Sequence, residues 1–118
     1  MLPFVEDMAA RYAWCDVLIC RSGAITVAEI TAAGVASILF PLPWFVADEQ
    51  AANARFLAER DAGIALKQLE TQPAQLAELL RGLGRDRLST IARNARALGK
   101  PSATRRCADV CMELAHAA

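Results

Sequence analysis

Short, continuously apolar runs alternate with longer amphipathic ones along the first half of this chain. Val17-Leu18-Ile19-Cys20 and Ser37-Ile38-Leu39-Phe40 are strand-length apolar runs, the second stopped by Pro41 and Pro43, and Ile64-Ala65-Leu66 is a shorter third. Between them the pattern turns helical. Ile25 to Ala33 has helical spacing, with Ile25, Ala28 and Ala32 predicted on one face and Glu29 off it, and Gly34 suits the stop. A second helix is expected from a cap at Asp48 to about Glu59, closed by Gly63. An earlier helix runs from Asp7 to Trp14, with Leu2-Pro3-Phe4-Val5 the one segment before it that suits a strand. Strands separated by helices of this length read as βαβ units, so the fold class is α/β, a Rossmann-like parallel sheet with flanking helices. Strands of such a sheet are covered on both faces, which explains unbroken apolar runs.

The C-terminal half is helical. Gln75–Leu83, Leu88–Leu98 and Thr104–Ala115 carry the 3.6-residue period, parted by Gly82 and Gly84 and then by Gly99 and Pro101, with Ser102 as the expected N-cap of the last. The whole, 1–118, reads as one domain, and a partial one. A three-stranded sheet makes a small core, and the pattern looks as if it starts partway through a domain.

Composition narrows the function classes. With 55% hydrophobic residues the chain can bury a core, and 13 basic against 13 acidic residues give no net charge. That balance excludes an overall polyanion-binding character, so no nucleic-acid partner is expected. The arginines between Arg81 and Arg106 are interspersed with Asp86 and read as solvated helix faces. Cys15, Cys20, Cys107 and Cys111 form no C-x-x-C pair and the one histidine is His116, so no metal site is expected and the cysteines read as buried small apolar residues in a reducing compartment. The opening MLPFVEDMAARY does not resemble a signal peptide, and no apolar run is long enough for a membrane helix. A cytoplasmic protein is expected.

Ligands of open α/β sheets bind beyond the carboxyl ends of the strands. Two loops leave strands for helices there, at Arg21–Ala24 and Pro41–Ala47, and both should lie on one edge. Gly23 lets a ligand approach the backbone, and the free amides of the helix that follows suit a phosphate. Arg21 can add a charge-assisted contact and Ser22 a hydroxyl. Glu29, farther along that helix, can accept two hydrogen bonds from a ribose diol, or it is an ordinary exposed glutamate. Asp48-Glu49-Gln50 and Asn53 begin the next helix, where polar side chains could grip sugar hydroxyls or simply face solvent. Pro41-Leu42-Pro43-Trp44-Phe45 is apolar enough for a pocket wall or an interdomain contact. No nucleophilic set is visible, and the catalytic residues are unknown.

FVEDMAARYAWCDVLICRSGAITVAEITAAG, PLPWFVADEQAANA and KPSATRRCADV together resemble the C-terminal domain of the MurG family of bacterial glycosyltransferases, over nearly the whole chain. The resemblance implies half of a two-domain GT-B enzyme that moves N-acetylglucosamine (GlcNAc) from UDP-GlcNAc to the lipid-linked muramoyl-pentapeptide of peptidoglycan synthesis, and so serves cell-wall biogenesis, shape and division. It implies no cofactor. Matched by motif, the backbone of Val5 would contact uracil, and Ala24, Ile25, Thr26, Val27 and Ala28 would run along the nucleotide. Glu29 would hold the ribose, Ser22 and Gly23 would face the diphosphate, and Glu49 and Gln50 would meet the sugar. Arg21 completes this expected donor site.

Trp44 stands where relatives often have histidine, Glu49 where another polar residue is common, and Ala36 where proline is frequent. The family's acceptor half and the start of its C-terminal domain have no counterpart here. The expected partners are therefore UDP-GlcNAc and an acceptor domain or subunit. Membrane contact, peripheral and on the cytoplasmic face of the inner membrane, would come only through that other half. Alternatives are the donor-binding subunit of a two-chain GlcNAc transferase and a non-enzymatic UDP-sugar-binding remnant.

Overall fold

The computed structural model describes residues 4–44 and 48–117. Their elements run α1 (Met8–Trp14), β1 (Leu18–Cys20), α2 (Ala24–Ala33), β2 (Ser37–Leu39), α3 (Glu49–Ala58), β3 (Ile64–Ala65), α4 (Pro73–Gly82), α5 (Arg85–Leu98) and α6 (Ala103–Ala117). The strands form one parallel sheet in the order β1-β2-β3, with Ile19 opposite Ile38 and Ile38 opposite Ile64. The expected βαβ architecture is therefore present. Leu2 and Pro3 lie outside the described residues, and Phe4 and Val5 belong to no strand.

The core sits on one side of the sheet. Leu39 of β2, with Leu18 and Cys20 of β1 beside it, packs against Val27 and Ile30 of α2, Ala54 and Leu57 of α3, Ala62, and Ala95 and Leu98 of α5. Each fully buried leucine or isoleucine there contributes roughly 1.5–3 kcal/mol. Only β2 is buried along its whole length. On β1 the side chain of Ile19 is 46% exposed, and Ala65 of β3 is exposed, so the expectation of strands covered on both faces holds for the centre alone.

The buried stripe of α2 differs from the expected one. Val27, Ile30 and Thr31 face the core, while Ile25 is 77% exposed and Ala28 is exposed too. Thr31 can sit inside because its hydroxyl donates back to the carbonyls of Val27 (2.9 Å) and Ala28 (3.0 Å). The stop at Gly34 is as expected: its φ of 72° is left-handed, and its N–H donates to the Ile30 carbonyl.

The end of α3 is built differently from expectation. Asp61, not Gly63, takes the left-handed conformation, at φ 53°. Asn94 of α5 donates to its carbonyl (3.0 Å), and Arg87 grips its carboxylate through both terminal nitrogens. That guanidinium holds the Asp61 carboxyl below the usual range. Gly63 serves close packing, since a Cβ there would lie 3.1 Å from Ser37 Oγ and 3.3 Å from Leu57 Cβ. At the start of α3, Asp48 occupies the cap position but its side chain accepts no capping bond. Its backbone is turned away from the extended conformation that aims a cap at the first-turn amides.

Helices α4 and α5 begin earlier than the apolar period indicates, because their first turns are exposed and bury no apolar side chain: Pro73 to Gln75 in one, Arg85 to Arg87 in the other. The Gln72 N–H donates to Gln75 Oε1 at 2.7 Å, fixing the start of α4. The described side chains of α6 are all exposed, among them Val110, Met112 and Leu114.

That exposure corrects the expectation for two cysteines. Cys107 and Cys111 lie open on α6, while Cys15 and Cys20 are half-buried. Burial pushes the Cys20 thiol up to about 11 and raises that of Cys15. Maleimide labelling of the native chain at neutral pH, read by peptide mass spectrometry, is expected to modify Cys107 and Cys111 first and Cys20 last. Fast labelling of Cys20 would contradict the packing.

Candidate functional site

Parallel pairing puts the carboxyl ends of β1 and β2 side by side, with Cys20 opposite Leu39. The loops after them therefore share one edge, as expected, and they are tied together. Ser22 is fully buried and its Oγ donates to the Gln50 carbonyl at 2.7 Å. Asn53 returns the bond, its Nδ2 donating to the Ser22 carbonyl at 3.1 Å. One terminal nitrogen of Arg21 reaches the carbonyls of Phe40 (3.1 Å) and Pro41 (3.4 Å). The Leu42 N–H donates to Gln50 Oε1 at 3.1 Å.

These bonds revise the roles of four residues. The Ser22 hydroxyl is turned into the protein, so only its backbone remains for a ligand. Asn53 holds the first loop instead of facing an open site. Arg21 uses one edge of its guanidinium on the second loop and keeps its other donors. Gln50 is oriented: a backbone N–H can only donate, so the amide oxygen faces Leu42 and the NH2 group is left to donate outward. Glu49 is exposed on the first turn of α3, and Phe45 to Ala47 of the apolar loop lie outside the described residues.

Helix α2 starts at this edge. Gly23 is its N-cap, and no side chain caps the first-turn amides. The amide of Val27 already bonds to the Gly23 carbonyl. The N–H groups of Ala24, Ile25 and Thr26 precede the first intrahelical partner and carry the positive end of the helix dipole. The fold does not require glycine at the cap. Gly23 has φ −62°, and a Cβ there would meet only Thr26 Oγ1, at 3.9 Å. Its missing side chain leaves open space in front of those amides.

Ile25 and Glu29 are one helical step apart on the exposed side of α2, which runs away from those amides. An isoleucine 77% exposed beside an unsatisfied helix start has no packing role in the chain itself. Glu29 is held: Tyr12 of α1 donates its hydroxyl to Glu29 Oε2 at 2.8 Å. Desolvation first, then the bond and the charge of Glu29, push the Tyr12 phenol up to about 12, so at neutral pH it is a neutral donor. No local pattern marks this pair, whose members are 17 positions apart. Val5, half-buried, lies just before α1. Among the described residues no cluster of histidine, cysteine or carboxylate side chains could hold a metal ion, and no helix is long and apolar enough to cross a membrane.

A parallel sheet with tied loops and uncapped helix amides at its carboxyl edge defines an α/β domain with a candidate anion-binding site. The chain belongs to the glycosyltransferase family 28 C-terminal domain family, which matches residues 1–109. It is similar to UDP-N-acetylglucosamine–N-acetylmuramyl-(pentapeptide) pyrophosphoryl-undecaprenol N-acetylglucosamine transferases. That of Cupriavidus metallidurans is 49% identical over 97% of this chain and 32% of the relative, and that of Cellvibrio japonicus is 51% identical over the same shares. The crystal structure of Acinetobacter baumannii MurG superposes with a TM-score of 0.90 at 42% identity, covering 95% of this chain and 33% of the other. The chain thus spans about a third of the length of the relatives it matches.

Proposed function

We propose that this chain is the donor-binding part of a glycosyltransferase that moves GlcNAc from UDP-GlcNAc to the lipid-linked muramoyl-pentapeptide. The observation that carries this is the tied pair of loops at the sheet edge, which holds the uncapped start of α2 beside the start of α3 that bears Gln50. The names of the relatives supply the sugar and the acceptor.

In this reading the diphosphate lies on the amides of Ala24, Ile25 and Thr26, in the space Gly23 leaves, with the remaining donors of Arg21 beside it. The ribose lies along Ile25, Thr26, Val27 and Ala28 and shares its diol with Glu29, and the backbone of Val5 meets the uracil. Gln50, with Glu49 next to it, donates to the GlcNAc hydroxyls. The transfer is an inverting displacement: the acceptor hydroxyl attacks the anomeric carbon and the bond to the diphosphate breaks. Negative charge builds on the departing UDP, where the fixed helix amides stabilise it without reorganising. The base that takes the acceptor proton comes from the acceptor half. That half also supplies contact with the inner face of the membrane, and residues 1–118 form one part of a larger domain.

Calorimetry with UDP-GlcNAc tests this. Weak binding is expected, and Glu29→Ala should weaken it by about 1–3 kcal/mol by stranding the ribose hydroxyls. Tight binding indifferent to Glu29→Ala would remove the site. GlcNAc transfer is expected only when an acceptor half is supplied, and robust transfer by the chain alone would overturn the division of labour.

A further inference from the structure

The Tyr12–Glu29 bond joins two elements that share no loop. Helix α1 packs on α2, and Tyr12 is the one buried residue of α1. Its ring is 8% exposed, and its hydroxyl ends on the carboxylate of an exposed glutamate. A buried phenol needs a hydrogen-bond partner, and here the partner is a surface carboxylate, whereas phenylalanine would fill the same space without one. Glu29 makes no ion pair and no other hydrogen bond among those of the described residues. Met8, Ala9, Tyr12, Ala13, Glu29 and Ala32 border a groove of about 480 Å3 between the two helices, so the carboxylate stands at its rim.

A glutamate on a helix surface has three rotatable bonds, and freezing them is a cost that any ligand must otherwise meet on binding. The phenol removes that freedom beforehand. It occupies Oε2 from the α1 side and leaves Oε1 turned to other partners. Neutral at physiological pH, it donates a hydrogen bond to the carboxylate and offers no competing negative charge.

Resting on the donor-site reading above, we propose that Tyr12 is a positioning residue for ribose recognition. By holding Glu29 Oε2 it presets the carboxylate for a ribose diol, and the preference of the site for ribonucleotide over deoxyribonucleotide donors runs through Tyr12 although Tyr12 does not touch the nucleotide.

The test is ligand-observed NMR titration with UDP and with 2′-deoxy-UDP, on the wild-type chain, Tyr12→Phe, Glu29→Ala and the double variant. The wild type should prefer UDP. Tyr12→Phe should weaken UDP about fivefold, the worth of a lost hydrogen bond to a charged group's orientation, and leave 2′-deoxy-UDP nearly unchanged. In the Glu29→Ala background, where the hydroxyl has no acceptor, the tyrosine substitution should have little further effect on UDP. A purely structural role for Tyr12 predicts instead that both ligands weaken together, and that outcome overturns the proposal. So does a Tyr12→Phe chain that keeps the full UDP preference, which leaves the donor-site reading standing. A wild type that binds UDP no better than its deoxy analogue, or does not bind UDP at millimolar concentration, removes the ribose role of Glu29 and the proposal with it. Glu29→Ala removes the acceptor itself, so it should lose the UDP preference whatever stands at position 12, a readout that does not depend on how Tyr12→Phe folds.

Discussion

Replacing Gly99 with alanine is expected to destabilise the fold by about 3 kcal/mol, near the top of the usual range for overpacking. Gly99 follows α5, with a φ of −63° that any residue adopts, so backbone freedom is not at issue. The space is. An ideal Cβ at this position would lie 2.5 Å from the carbonyl oxygen of Thr31 and 2.9 Å from its carbon. These are backbone atoms in the last turn of α2, and they cannot swing aside as a side-chain tip would. Helix α5 must then move off α2, and Ala95 and Leu98 are pulled from the cluster around Ile30 and Leu39. Urea denaturation followed by circular dichroism measures the loss. Gly82→Ala is the control: a Cβ there meets nothing within 4 Å, and alanine is the better helix former, so that change should be neutral or stabilise slightly. A loss at Gly99 below about 1 kcal/mol, the lower edge of what overpacking causes, would show that the two helices do not approach as closely as described.

The second large effect is expected at Ser22. Ser22→Val removes the hydroxyl's bond to the Gln50 carbonyl and adds a methyl group where no surface is exposed. Losing that bond and overpacking the site together should cost about 3 kcal/mol, whereas Ser22→Ala, which only loses the bond, should cost about 1. The functional consequence is separate from the loss of stability. Without the hydroxyl, the β1 and β2 loops lose one of the bonds that hold α2 and α3 in register. Binding of UDP-GlcNAc, measured well below the melting temperature, should therefore weaken in Ser22→Ala as well, although the hydroxyl faces away from the ligand space. If affinity stays at the wild-type value while stability falls, the tie supports the fold and not the site.

The sequence made the alternation of strands and helices legible because each strand is a short apolar run bounded by glycine or proline, as at Ser37–Leu39 before Pro41. It also located the site edge, since Gly23 and Gly34 punctuate α2 at both ends. It was less informative about direction. The buried stripe of α2 could not be read from a segment apolar nearly all round, where Ile25 and Ile30 look alike until a sheet lies beneath one of them. The role of Asp61 was hidden because its left-handed turn depends on Arg87 and Asn94, which come from a helix far along the chain. The same holds for the site. Glu29 and Gln50 were recognisable by type and position, but what orients them was not: Tyr12, Leu42 and the Ser22–Asn53 exchange are tertiary contacts with no local pattern. Ser22 was read as a ligand contact on its chemistry, and only burial shows that its hydroxyl points inward. Cys107 and Cys111 were misread because composition weights a cysteine toward the interior, while α6 buries none of its described side chains.

The order of strands in the sheet, β1-β2-β3, is also their order along the chain. Each new strand is therefore added at an open edge, and none has to be inserted between two that have already paired. Parallel pairing is slow when distant segments must find each other, but here each pairing waits only for the helix that connects it to the strand before. During synthesis, which presents the chain from its N-terminal end, the β1–α2–β2 unit can dock before α3 and β3 exist. The loop that carries Ser22 would then be in place, and the arrival of α3 would close the bonds from Asn53 and to Gln50. That edge would be completed by the same helix that carries Glu49 and Gln50, before β3 adds the last strand to the sheet.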